Sequence, residues 1–204
     1  MHTIRRVLNH PYFFWALLCL PALPMLGMVI NASGPNVFHE LLHPTGEFAA
    51  RFMILAMMIT PLVMLLPSWR GPRWLMRRRR YLGVAAFAYA LAHTVFYIVD
   101  IGAIAFSAPE LTKTAIWSGW VAMLIFIPLA VTSTDDWVGR MGPRWKMLQR
   151  SIYAAAVCTL LHWAALHGWG GVAPALVHFL PLGLLTSYRI YRNASRHPRD
   201  AISV

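Results

Sequence analysis

The feature that most constrains this chain is a set of six apolar stretches, each about as long as the 20 residues a helix needs to cross a hydrocarbon core of roughly 30 Å. They lie at 12–30, 48–66, 81–106, 116–132, 151–167 and 172–191 and take up most of the 204 residues. A spanning segment must satisfy its backbone polar groups internally, so stretches of this length predict helices. The expectation is an all-α integral membrane protein, a six-transmembrane-helix bundle. Composition agrees, with 58% hydrophobic and 12% charged residues, half the charge of an ordinary soluble domain at about 25%. Arg5 and Arg6 precede the first stretch as in a signal peptide, but its apolar part exceeds the roughly 7–15 residues of a signal core and reads as a span. The loops are short, and no internal repeat or low-complexity linker is visible, so residues 1–204 are expected to form a single membrane domain.

A net charge of +11 would suggest nucleic acid in a soluble chain. Here the basic residues lie between the apolar stretches and mark topology instead. Sixteen of the 18 Lys and Arg precede the first stretch, lie between the second and third, surround 140–150, or follow from Arg189. Only Arg51 and Lys113 fall on the other side. The positive-inside rule then places both termini in the cytoplasm, with the third and fifth spans running outward. The run Arg77 to Arg80 predicts attraction to anionic membrane lipid, and no nucleic-acid partner is expected. Cys19 and Cys158 both sit inside apolar stretches and form no disulfide framework or zinc spacing. The chain has no nucleotide-binding glycine motif.

Ionisable groups inside a span are costly and point to function. His93 lies 13 residues after Arg80 and His162 lies 12 after Arg150, about 20 and 18 Å along outward-running helices, so the two imidazoles share one depth. Ala86, Tyr89 and Ala90 precede His93 on its face, and Ala155, Cys158 and Thr159 precede His162. Small side chains there leave a slot for a flat macrocycle. Two facing neutral imidazoles suit the axial positions of a b-type haem, and the absence of C-x-x-C-H excludes covalent attachment. His178 reaches a similar depth and reads as a packing donor, a partner for a propionate or a spare ligand.

The segments TGEFAARFMILAMMITPL (45–62), RRYLGVAAFAYALAH (79–93), WSGWVAMLIFIPLAVTS (117–133) and GPRWKMLQRSIYAAAVCTLLHW (142–163) together resemble the MsrQ (YedZ) family of haem-binding membrane subunits. That family belongs to the ferric-reductase-like transmembrane superfamily. The resemblance implies a six-helix ferric-reductase-like core at about 45–167 and a multi-pass location in the bacterial inner membrane. It also implies haem b with His93 and His162 as axial iron ligands. The implied role is that of an electron-transfer subunit of an oxidoreductase. Electrons would come from quinol or a flavoprotein, through bound quinone or FMN. They would pass to a periplasmic methionine-sulfoxide reductase or to a ferric chelate. Arg79 and Arg150 are the expected contacts for an anionic cofactor group, since guanidinium suits phosphate. Where the family reads L-H-R before the fifth span, this chain has Leu148-Gln149-Arg150. An amide is a poor haem ligand, so one haem is expected.

A reading from another class is a cofactor-free transporter or assembly protein. In it His93, Asp100 and His162 would form a polar path, Asp100 being seven residues after His93 and on the same helix face.

Overall fold

The computed structural model describes residues 10–32, 34 and 36–195. The described segments are helical: α1 (Pro11–Cys19), α2 (Ala22–Ile30), α3 (Val37–Leu65), α4 (Arg70–Met76), α5 (Arg79–Ile101) with a 3-10 turn over Gly102–Phe106, α6 (Ala108–Leu111), α7 (Thr114–Val131), α8 (Asp135–Met141), α9 (Pro143–Gln149), α10 (Ile152–Trp169) and α11 (Val172–Ala194).

Among the described residues, three helical segments are long and apolar enough to cross a membrane: Val37–Leu65, Arg79–Phe106 and Thr114–Val131. The bent pair α1/α2 makes up to four if it counts as one span. The expected fifth and sixth spans coincide with α10 and α11, which fall short of that standard. Regular geometry in α10 stops at Leu166, with His167 and Gly168 left-handed, and α10 carries two histidines. Arg189 and Arg192 lie within α11.

The first stretch is not one straight helix, because Pro21 has no N–H to continue the ladder. It breaks there with a 51° bend. The Tyr89 hydroxyl from α5 fills the gap, donating to Leu18 O at 3.1 Å and receiving the Ala22 N–H. The second span begins eleven residues before the apolar stretch does, at Val37. Its added turns carry His39, His43 and Glu47, which are tolerated because they find partners: His39 Nδ1 lies 2.9 Å from Asp100, and Glu47 accepts from Arg51.

Helix packing is closest in two pairs, α3 with α5 and α7 with α10, and α11 lies against α3 and α10. Small residues permit the approach: Ala85, Ala86, Ala155 and Ala156 are buried, beside Met53 and Ile59. One end of the bundle gathers the arginines. Within the run at 77–80, Arg78 is buried with its guanidinium 4.0 Å from the Trp74 ring centre. Arg80 pairs with Asp135 at 2.5 Å, and Arg192 bonds Met64 O. The opposite end carries His39, Asp100, Glu110 and Lys113.

Candidate functional site

His93 projects from α5 and His162 from α10, and their rings meet 6.0 Å apart between centroids with planes at 86°. Each ring is held from behind by the partner helix of its own pair. His93 Nδ1 lies 2.9 Å from Leu42 O on α3, and His162 Nδ1 lies 2.5 Å from Ala115 O on α7. A carbonyl only accepts, so each Nδ1 carries the hydrogen and each Nε2 keeps a free lone pair. That tautomer is the one a metal-binding imidazole adopts when a backbone carbonyl orients it.

The rings stand in a cavity of about 370 Å³, within the roughly 300–1,000 Å³ range of cofactor sites. Ala49, Ala50, Ala90, Ala122, Met123 and Phe126 make its walls and floor apolar, and at its rim stand His39, His43, Glu47, Tyr97 and His167. Two imidazoles on opposite faces of one metal have centroids roughly 6.4 Å apart, from a metal–nitrogen bond of about 2.0–2.1 Å and about 1.15 Å from nitrogen to ring centre. The observed spacing is close to that. Among the described residues no group of three or more His, Cys, Asp or Glu could hold a bare ion. A donor set of two imidazoles across an apolar slot therefore suits a metal that brings its own equatorial ligands.

The expected slot is displaced along the helices. Ala90 and Thr159 line it, but Ala86 and Ala155, one layer nearer the basic end, are fully buried in helix contacts. Tyr89 faces Phe52 and Phe48 rather than the slot. Arg79 and Arg150 are not brought to the histidines. Arg79 sits at the basic end and donates to Thr60 Oγ1 at 3.4 Å, and Arg150 is exposed at the turn into α10. Gln149, half-buried, donates to Leu129 O at 3.4 Å.

His178 has both nitrogens engaged, Nδ1 with Pro174 O at 2.8 Å and Nε2 with Arg51 Nε at 3.4 Å. Its ring lies 4.8 Å from that of Trp163. Asp100 does not continue a path from His93, since its hydrogen bond runs to His39 at the rim.

Sequence reasoning missed the residues on α3 and α7 that face the histidines. Gly46 stands against His93, where a Cβ would come 2.9 Å from Nδ1, and Gly119 stands against His162 at 2.7 Å. Each glycine follows a hydroxyl residue, Thr45 or Ser118. The two hydroxyl–glycine pairs, each on the helix packed against a histidine-bearing one, were the available signal.

The family model described as ferric reductase like transmembrane component matches residues 45–160. Several curated relatives are named protein-methionine-sulfoxide reductase heme-binding subunit MsrQ. That of Rhizobium meliloti (strain 1021) is 35% identical, over 90% of this chain and 85% of its own length. That of Azospira oryzae is 31% identical over 86% and 77%, and that of Rhodospirillum rubrum 36% identical over 77% and 75%. No solved structure matches the chain.

Proposed function

The chain belongs to the ferric-reductase-like transmembrane family, in its MsrQ branch, and on that premise we propose that it is the haem-binding membrane subunit of a reductase, carrying electrons across the bacterial inner membrane. The observation that carries the proposal is the opposed pair His93 and His162, each with Nδ1 committed to a carbonyl and Nε2 free, in one apolar cavity. These two imidazoles would hold a b-type haem, which supplies one-electron redox chemistry. The buried alanine layer below the cavity and the tethered amide of Gln149 support a single haem.

The partition of basic residues supports six spans with both termini cytoplasmic and the cavity rim facing the periplasm. A periplasmic methionine-sulfoxide reductase, as in the names of the relatives, is the acceptor that this arrangement suits, and a ferric chelate is the alternative. At the other end Arg79 and Arg150 would serve a donor, either quinol or a flavoprotein with an FMN phosphate. A cofactor-free transporter is not favoured, because Asp100 pairs with His39 instead of extending a path.

Absorption spectra of the detergent-purified protein test the reading. Sharp reduced α and β bands are expected from the wild type, and His93→Ala or His162→Ala should each abolish the low-spin spectrum. A colourless wild-type protein from haem-replete cells would refute it.

A further inference from the structure

The two histidine seats are built alike although they come from different helix pairs. In the first, Thr45 Oγ1 bonds Leu41 O at 2.6 Å and Leu42 O at 3.2 Å, and the next residue is Gly46. In the second, Ser118 Oγ bonds Thr114 O at 2.6 Å and Ala115 O at 3.1 Å, and the next residue is Gly119. In each, the carbonyl that accepts from the imidazole lies four residues before the glycine, one turn along the same face. The ring is therefore gripped at two points. Its Nδ1–H is bound to a carbonyl, and its flank lies on bare backbone.

A Cβ at either glycine would sit under 3.0 Å from Nδ1, the very atom engaged in the hydrogen bond. The ring cannot retreat without stretching the bond to Leu42 O or Ala115 O, so an added methyl must tilt or turn it. Gly27, Gly83 and Gly183, also in long apolar helices or the bent pair, are different, with open space where a Cβ would stand. Space against the imidazoles is therefore a local requirement of the two seats.

We propose that Gly46 and Gly119 are positioning residues that seat the two imidazoles against the carbonyls that set their tautomer, and that together they hold the planes crossed at 86°. This rests on the haem reading for its consequence but not for its geometry. The angle between axial imidazole planes governs how the iron d orbitals split. Crossed planes bring two of them close in energy and give a strongly anisotropic low-spin ferric signal, whereas parallel planes give an ordinary rhombic one. Two glycines would thus set the electronic character of the site without touching the iron.

The experiment has two arms. In the haem-free chain labelled with 15N-histidine, NMR should find His93 and His162 as Nδ1–H tautomers, assigned with the His93→Ala and His162→Ala variants. Gly46→Ala should shift the His93 resonances alone and Gly119→Ala those of His162 alone, while Gly83→Ala moves neither. In the haem-loaded protein, electron paramagnetic resonance should give the anisotropic signal for the wild type and Gly83→Ala. Gly46→Ala and Gly119→Ala should lose it, to a rhombic low-spin or a high-spin form. A rhombic wild-type signal, or glycine variants indistinguishable from wild type in both arms, overturns the proposal. Wild-type protein that takes up no haem overturns the haem reading instead, and the first arm still decides the seats.

Discussion

Tyr89→Phe isolates one hydroxyl. The ring keeps its neighbours, Phe52 at 5.4 Å and Phe48 at 5.9 Å between centroids, and only the bridge across the α1/α2 break is lost. That bridge serves two backbone groups at once, Leu18 O and Ala22 N–H. Each buried polar group left unpaired costs about 1–3 kcal/mol, and no water is at hand in the hydrocarbon layer to replace the partner. The two groups are four residues apart, so partial straightening of the bend lets them bond to each other and recovers part of the loss. The net cost should be about 2 kcal/mol, or roughly a thirtyfold change in the folding equilibrium. Denaturant titration in mixed micelles measures it. The haem spectrum should not change, because Tyr89 is outside the cavity. Adding Pro21→Ala to Tyr89→Phe should return part of the stability, since alanine restores a ladder N–H. A loss below about 0.5 kcal/mol, less than a single ordinary hydrogen bond, would refute the bridging role.

Three further outcomes are expected. Cysteines placed at Asn36 and Ser107 should be labelled from the periplasm and those at Arg73 and Arg144 should not; labelling of position 73 from outside would reverse the orientation. His178→Ala should leave the absorption spectrum intact, as both of its nitrogens are engaged away from the cavity, whereas loss of haem in this variant alone would assign ligation to α11. Gln149→His should leave the pyridine-haem stoichiometry at one per chain, because Ala86 and Ala155 in the layer below the cavity are fully buried in helix contacts; two haems in the unmodified protein would sink the one-haem reading.

That the His93 and His162 rings meet at one level was legible in the sequence because equal distance from a basic boundary is a property of one dimension, and helix rise converts it to depth. Their seats were not, because which residue of α3 or α7 faces a ring depends on how two helices are rotated against each other, and the apolar pattern is nearly uniform around both. The bend at Pro21 shows a different limit. Proline is compatible with a straight or a broken membrane helix, and here the outcome is tied to a hydroxyl that arrives from Tyr89, far along the chain. The early start of α3 was hidden because His39, His43 and Glu47 look like loop until Asp100 and Arg51 are placed beside them. The same holds for Arg78, which reads as one of a solvated basic run and instead lies buried on Trp74.

Each histidine belongs to its own tightly packed helix pair, α3 with α5 or α7 with α10, and the cavity lies between the pairs. On the haem reading, axial ligation would then act as a rivet. The iron–imidazole bonds would join the two pairs at the level of the cavity, adding to the contacts that α11 and the layer below already make between them, and the free energy of cofactor binding would be added directly to the stability of the assembled bundle. Cofactor supply would accordingly control how much of the chain survives in the membrane. In haem-starved cells the bundle would lack that contribution, and abundance should follow haem availability even where transcription does not change.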